Sequence, residues 1–350
     1  MKIAQVAPLA ESVPPRLYGG TERVVSYLTE ELVRQGHSVT LFASGDSRTA
    51  AQLHPIVERA LRFDESVKDR HIFSLLQFDE VRERAGEFDV IHFHTDYLHF
   101  PLVRELELRN TVTTLHGRLD LPGYPEMFAR HRDLPVVSIS NDQRRPLPDA
   151  NWVGTVMHGL PRNVCRFESA PRGEYLAFLG RISPEKRVDR AIEIARHAGL
   201  KLRIAAKVDA ADREYFEAEI EPLLGQPHVE FVGEIGECDK CEFLGQARAL
   251  LFPIDWPEPF GLVMIEAMSC GVPCVAWRAG SVPEIISEGV NGFIVDSIES
   301  AVAAVHRAPH LDRARVRASF EQRFSVERMT RDYLDIYRRL PLRSSGRAAA

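Results

Sequence analysis

The sequence predicts an α/β chain of two doubly wound, Rossmann-like domains, and three observations carry that expectation. Short apolar runs rich in β-branched residues alternate with amphipathic stretches, the rhythm of βα units and parallel sheets. The same rhythm restarts near the middle of the chain. The length of 350 residues, 45% of them hydrophobic, exceeds one compact α/β core and suits two of roughly 150 to 180 residues. Two such domains are expected to face a cleft, where ligands collect.

In the first half, residues 2–7, 38–43, 90–94, 111–116 and 136–140 read as strands. Between the first two, residues 22–35 set Val24, Val25, Leu28, Leu32 and Val33 on one helical face and stop at Gly36. Residues 153–167, with Gly159 and Pro161, lose periodicity and read as the connection between domains. In the second half, strands are expected at 175–180, 202–206, 229–232, 249–253, 273–276 and 292–295, and helices at 188–197, 212–223, 238–246, 261–268 and 297–307. The stretch 326–340, with Met329, Tyr333, Ile336 and Tyr337, follows the second sheet and is expected to cross back to the first domain. The resulting division is 1–165 for the first domain, 166–325 for the second, 326–342 for the returning helix and 343–350 for a disordered tail.

The formal net charge of -6, with acids and bases interspersed, lacks the basic excess of a nucleic-acid binder. No run approaches the roughly 20 apolar residues of a membrane span, and Met1 leads into a strand without a signal peptide's apolar region. A soluble cytoplasmic protein is expected, while peripheral contact with a membrane and the oligomeric state stay open. Five Cys, an odd number in a long chain, argue against a disulfide framework and for reduced thiols. Cys238-Asp239-Lys240-Cys241 is a single CxxC opening an amphipathic helix, too little for a zinc or thioredoxin-like site. Cys270 and Cys274 read as small buried residues. His92, His94 and His99 lie close in sequence, but no matching Cys or carboxylate set accompanies them, and no metal is expected.

The chemistry concentrates in Pro257-Glu258-Pro259-Phe260-Gly261-Leu262-Val263-Met264-Ile265-Glu266, where the two glutamates stand eight apart. Pro259 and Gly261 force a tight turn before an apolar helix, so backbone N–H groups around Phe260, Gly261, Leu262 and Val263 form an anion site. Amides can hold a diphosphate, and a carboxylate can accept two hydrogen bonds from vicinal hydroxyls of a sugar or ribose. Either carboxylate alone would be an ordinary loop or helix acid. The pair in this turn, continued by Ala267-Met268-Ser269-Cys270-Gly271-Val272-Pro273, is specific. Arg181 and Lys186 follow a strand in Leu179-Gly180-Arg181-Ile182-Ser183-Pro184-Glu185-Lys186-Arg187, and open α/β sheets hold ligands at such strand ends. Cations there would stabilise a departing diphosphate, whereas Arg187 reads as surface charge.

With these residues the sequence resembles the retaining glycosyltransferases of family 4, whose signature is a Glu-x7-Glu pair in this setting, and the resemblance covers nearly the whole chain. It implies a GT-B fold and transfer of a hexose from a nucleoside diphosphate to an acceptor hydroxyl with retention. It implies no metal and no cofactor beyond the nucleotide sugar as substrate. By the same resemblance Glu258 contacts the donor sugar's hydroxyls, Glu266 holds the ribose, and Arg181 and Lys186 meet the diphosphate. The glycines of Tyr18-Gly19-Gly20-Thr21-Glu22-Arg23 would approach the donor phosphate, Gly19 and Gly20 lacking Cβ atoms, with Glu22 near the sugar or acceptor. His116 takes the place of the family's strand-end His beside the transferred sugar, and His94, at another strand end, a sugar or acceptor contact. In Phe231-Val232-Gly233-Glu234-Ile235 the backbone at Glu234 and Ile235 is implied to read the base. UDP is preferred because relatives commonly use it; GDP, ADP and the acceptor stay open.

Two stretches depart from the family pattern. His158-Gly159 stands where many relatives have Asn-Gly, which bears on the contact between domains. Gly280-Ser281-Val282-Pro283-Glu284 alters a GGVPE-like stretch, with Glu284 able to support the site. Three competitors remain. A sugar-nucleotide epimerase or inverting transferase on the same fold would need a general base, for which only His116 offers itself. A catalytically silent sugar-nucleotide-binding protein would not need the intact set of Glu258, Glu266, Arg181 and Lys186. A nicotinamide oxidoreductase would need a glycine fingerprint that follows neither first strand.

Overall fold

The computed structural model describes residues 1–17, 19–171 and 173–341. Tyr18 of the glycine loop and the tail expected at 343–350 lie outside the described residues. The chain forms two compact units, the first made of Met1–Met157 with the chain from Val326, the second of His158–Ser325.

Unit 1 is built on strands β1 (Lys2–Val6), β2 (Ser38–Ser44), β3 (Gln52–Val57), β4 (Val90–Phe93), β5 (Thr111–Thr114), β6 (Val136–Ser138) and β7 (Trp152–Thr155). They lie in the order β3-β2-β1-β4-β5-β6-β7, all parallel. The order reverses between β1 and β4, which makes the carboxyl ends of these two strands the switch point of the sheet. Parallel sheets are covered on both faces, and β4 and β5 are buried along their whole length. Helix Gly20–Arg34 buries Val24, Val25, Leu28 and Leu32. Helix Val326–Tyr337 packs beside it with Met329, Tyr333, Ile336 and Tyr337 buried.

Residues 153–167, expected as a connection, are corrected here: Trp152–Thr155 is the edge strand β7, paired with β6. Four residues are too few to show a period, and Gly154 is there for packing, since a Cβ would fall 2.8 Å from Ile336 Cδ1. Strand β3 also escaped the pattern, because His54 and Pro55 interrupt it; a proline without an N–H is tolerated on this edge position.

Unit 2 repeats the plan with β8 (Tyr175–Ile182), β9 (Lys201–Val208), β10 (Val229–Gly233), β11 (Ala249–Phe252), β12 (Cys274–Trp277) and β13 (Gly292–Val295). The order β10-β9-β8-β11-β12-β13 is again all parallel, with its switch point between β8 and β11. Leu176, Ile204, Leu251 and Val275 from the strands form one core with Ile192 and Ile194 of helix Val188–Ala198. Ser297 caps helix Ile298–Arg307 in a reciprocal box with Ser300. The single helix expected over 212–223 is broken into Arg213–Tyr215, a π-helical turn Phe216–Ile220 and Glu221–Leu224. Pro222, which lacks an N–H, accounts for the interruption.

The expectation that all thiols are reduced is also corrected: Cys165 and Cys241 are disulfide-bonded. Parity and compartment say nothing about geometry, and these Cα atoms lie 5.2 Å apart across 76 residues of sequence, within bridging range. Cys270 and Cys274 are free and buried. Among the described residues no helix is long and apolar enough to cross a membrane.

Candidate active site

In unit 2 the loops leaving β8 and β11 flank the switch point, where an open α/β sheet offers a ligand crevice. Three contacts tie these loops together. The Arg187 guanidinium donates to Asp255 Oδ2 at 2.9 Å, the Asp255 N–H to the Glu185 carbonyl at 2.9 Å, and Arg190 to the Pro253 carbonyl at 3.0 Å. Arg187, expected as surface charge, is therefore a half-buried strut. Its left-handed backbone, φ 53°, turns it back between Asp189 and Asp255.

Held this way, Lys186 Nζ donates to Glu258 Oε2, which also accepts from Trp256 Nε1 at 3.0 Å. The lysine cation sits over the Trp256 ring, 5.0 Å from its centroid. Glu266, on helix Leu262–Ser269, repeats the arrangement: its Oε1 accepts from Lys240 Nζ at 2.7 Å. The Glu258 and Glu266 side chains are only 12% and 9% exposed, and a carboxylate so buried needs a partner. Each has one lysine, and among the described residues the second oxygen, Oε1 of Glu258 and Oε2 of Glu266, has no protein hydrogen bond. Both carboxylates thus keep lone pairs for a hydroxyl donor.

The turn between them is fixed from two sides. Gly261 N-caps the helix with φ 80°, and a Cβ there would fall 2.8 Å from Met264 Cε. Phe260 is buried, and Leu262 and Val263, half-buried, open the helix where N–H groups lack intrahelical partners. The altered GGVPE-like stretch uses its serine here: Ser281 N–H donates to the Glu258 carbonyl at 3.0 Å and its hydroxyl to the Phe260 carbonyl at 2.7 Å. Gly280 has φ +51°, and a Cβ would lie 2.4 Å from both the nitrogen and the carbonyl oxygen of Glu258. Gly280→Ala is expected to cost about 2 kcal/mol, lowering the melting temperature of unit 2 by about 6 °C. Thermal unfolding checks this, and an unchanged midpoint would refute the clamp. His158 also packs on this turn: its buried ring lies on Phe260, centroids 4.7 Å apart.

Arg181 stands in a different set of contacts. Its Nη2 donates to Glu185 Oε1 at 2.5 Å, and Asp212 and Asp209 lie 3.7 and 3.8 Å away. The β8–β9 register sets it beside Lys207, which pairs with Asp209 at 2.8 Å. Glu234, exposed, and Ile235, half-buried, follow β10 and precede helix Glu237–Gly245, which carries Lys240 to Glu266.

In unit 1 the residues singled out also lie at strand ends around the switch point. Gly19 N-caps helix Gly20–Arg34 with an extended backbone, and its missing side chain is required by its own loop: a Cβ would fall 2.7 Å from Pro15 Cβ. Gly20 is exposed at the first helical position. Glu22 is buried, and burial, with Glu11 nearby, raises its carboxyl above the usual range. His94 Nδ1 lies 2.9 Å from His116 Nε2, and His94 Nε2 lies 2.8 Å from Gln5 Oε1. The network continues from Gln5 to the Tyr337 hydroxyl at 3.2 Å and from Tyr337 to His92 Nδ1 at 2.7 Å. Burial lowers the His116 imidazole to about 3, so it is neutral near pH 7.

His92 and His99 have both ring nitrogens engaged, His92 with Tyr337 and Thr114, His99 with Thr95 and Thr113. Among the described residues no group of three or more potential metal ligands comes together.

Three residues of these sites were not singled out from sequence. Lys240 sits inside the CxxC stretch, which drew attention to its cysteines instead. Trp256 lies two residues before Glu258 and gave no signal of its own. Asp96, just past β4, has a left-handed backbone with φ 52° and no hydrogen-bond or ion-pair partner among the described residues. Burial raises its carboxyl to about 6, and only its position beside His94 hinted at this.

Two doubly wound sheets in one chain, with lysine-paired glutamates at the second switch point, have the architecture of the GT-B fold. The family model for glycosyl transferases group 1 matches residues 166–322 and that for Glycosyltransferase Family 4 matches residues 18–167, and the chain belongs to the family 4 type of glycosyltransferases. The N-acetyl-alpha-D-glucosaminyl L-malate synthase of Bacillus anthracis is 25% identical over 91% of this chain and 93% of its own length. A D-inositol 3-phosphate glycosyltransferase of Saccharomonospora viridis is 28% identical over 91% of this chain and 89% of its own. Among solved structures, AviGT4, a glycosyltransferase involved in avilamycin A biosynthesis, matches with a TM-score of 0.74 at 23% identity and 97% coverage of both chains. Anabaena HepE, solved with UDP and glucose, matches at 0.73 and 20% identity, over 97% of this chain and 100% of its own.

Proposed function

We propose that this glycosyltransferase moves a hexose from a nucleoside diphosphate, UDP-hexose by preference, to an acceptor hydroxyl, with retention and without a metal ion. The observation that carries the reading is the matched pair of buried carboxylates, each tied to one lysine and each keeping an oxygen without a protein partner. Set on either side of one helix start, they suit the two ends of a nucleotide sugar. Glu258 takes the hexose, Glu266 the ribose, and the N–H groups of residues 261–263 the diphosphate. Lys186 and, once Glu185 releases it, Arg181 neutralise the leaving diphosphate as its charge grows.

The acceptor oxygen bonds to the anomeric carbon as that carbon's bond to the diphosphate oxygen breaks. The electron pair leaves with the phosphate oxygen, which takes the acceptor's proton, so no side-chain nucleophile is required. Attack on the leaving-group face gives retention. Side-chain cations at the diphosphate and the lack of an Asp-x-Asp pair in the sequence support metal independence. The complex of HepE with UDP and glucose supports UDP among the bases, which the backbone at Glu234 and Ile235 would read. Gly19 and Gly20 serve the donor phosphate, and Glu22, His94, His116 and Asp96 the transferred sugar and acceptor. A neutral His116 suits a hydroxyl better than a phosphate.

One observation favours a second reading, a catalytically silent sugar-nucleotide binder: Arg181 is engaged by acids. The test is calorimetric titration of EDTA-treated protein with UDP, GDP and ADP, followed by sugar release from the matching nucleotide hexoses. Saturable UDP binding with slow metal-free release is expected. Binding without release, with every acceptor tried, would leave the silent binder, and no binding to any nucleotide would sink both.

A further inference from the structure

Helix Glu237–Gly245 brings one lysine to Glu266. Lys240 Nζ lies 2.7 Å from Glu266 Oε1 and 3.1 Å from Glu237 Oε2, one turn earlier on its own helix. Its side chain is only 13% exposed. A lysine stem is flexible and ordinarily leaves its charge in water. Here the helix is fastened at the very next residue, where Cys241 is bridged to Cys165. Glu237 pairs with the same ammonium, so its reach toward Glu266 is set by two anchors, this ion pair and the bridged helix.

We infer that Lys240 is a positioning residue of the donor site. By holding Oε1 it fixes the plane of the Glu266 carboxylate, so that Oε2 and the remaining lone pair of Oε1 meet both vicinal hydroxyls of a ribose together. This rests on the proposed placing of the ribose at Glu266. A buried carboxylate deprived of its charged partner turns toward water or stays misaligned. Either outcome removes discrimination for the ribose hydroxyls and spares the contacts to the base and the diphosphate. Lys240 therefore acts on which nucleotide is bound, without touching the reacting atoms.

The experiment compares UDP with 2′,3′-dideoxy-UDP by calorimetry on the parent and on Lys240→Met, which keeps the aliphatic stem but not the charge. The parent is expected to prefer UDP by about tenfold or more, the loss of charged hydrogen bonds. Lys240→Met should bind UDP about tenfold more weakly and dideoxy-UDP within about twofold of the parent, so the preference collapses. Lys240→Arg, which keeps a donor and a charge, should restore part of it. Thermal unfolding shows whether the methionine variant is folded, and Lys240→Gln serves the same comparison if it is not. A folded variant that keeps the parent's preference overturns the inference and leaves the donor reading standing. A parent without any preference overturns the ribose role of Glu266, and the inference with it.

Discussion

Lys186→Ala is expected to lower kcat by about 10²- to 10³-fold, Glu258→Gln by a similar factor, and the double variant by scarcely more than either alone. The lysine faces a leaving group whose charge grows in a site shielded from water, where one preorganised donor is worth about 3 to 4 kcal/mol. Removing it also strands Glu258, whose side chain is 12% exposed and keeps only the Trp256 indole N–H at 3.0 Å. A stranded buried carboxylate no longer presents Oε1 to the sugar in the same orientation. Each change therefore disables the other residue, and the two losses overlap instead of multiplying. Trp256→Phe, which keeps the ring under the Lys186 cation but not the N–H, should cost much less. Steady-state kinetics of nucleotide-sugar turnover decide: losses that multiply in the double variant would separate the two residues, and an unchanged rate in Lys186→Ala would remove it from the site.

What the sequence reveals follows from how local the cause is. The strands are legible because burial of both faces demands unbroken apolar runs, and β13 falls at residues 292–295, where the pattern sets it. Lys186 and Glu258 are legible because turn chemistry and charge sit together in short stretches. Their meeting is not, because it depends on Arg187, whose left-handed backbone and bond to Asp255 link loops 68 residues apart. Lys240 was hidden for the same reason, being joined to Glu266 across 26 residues. The Cys165–Cys241 bridge is a matter of distance between two loops, which a count of cysteines cannot supply. Gly19 shows the reverse case. Its lack of a Cβ reads from sequence as room for a ligand, and the structure adds a local cause that the sequence does not show, the closeness of Pro15.

Acidification is expected to weaken unit 1 well before its carboxylates are protonated in bulk. His92 and His99 are buried, and burial holds the His92 imidazole well below the usual range and lowers that of His99 to about 3. The unfolded chain takes up protons near pH 6.5 while the folded one does not, so stability is lost as pH falls below 6.5. By pH 5 an imidazole lowered to about 3, as in His99, costs about 2 kcal/mol, about 1.5 units at about 1.36 kcal/mol each, and His92 acts in the same direction. Asp96 works in the opposite sense. Its carboxyl is raised to about 6, the folded state binds the extra proton, and acidification from pH 6 to 5 returns about 1 kcal/mol; Glu22 adds in the same direction. His99 and His116, each lowered to about 3, outweigh Asp96 and leave a net loss of about 3 kcal/mol between pH 7 and pH 5, which His92 deepens. Thermal unfolding at the two pH values measures it. His92→Gln, which can hydrogen-bond Thr114 and Tyr337 without titrating, should start lower but fall less steeply. A melting temperature for unit 1 that is the same at pH 5 and pH 7 would mean that these histidines are not held neutral beneath the switch point.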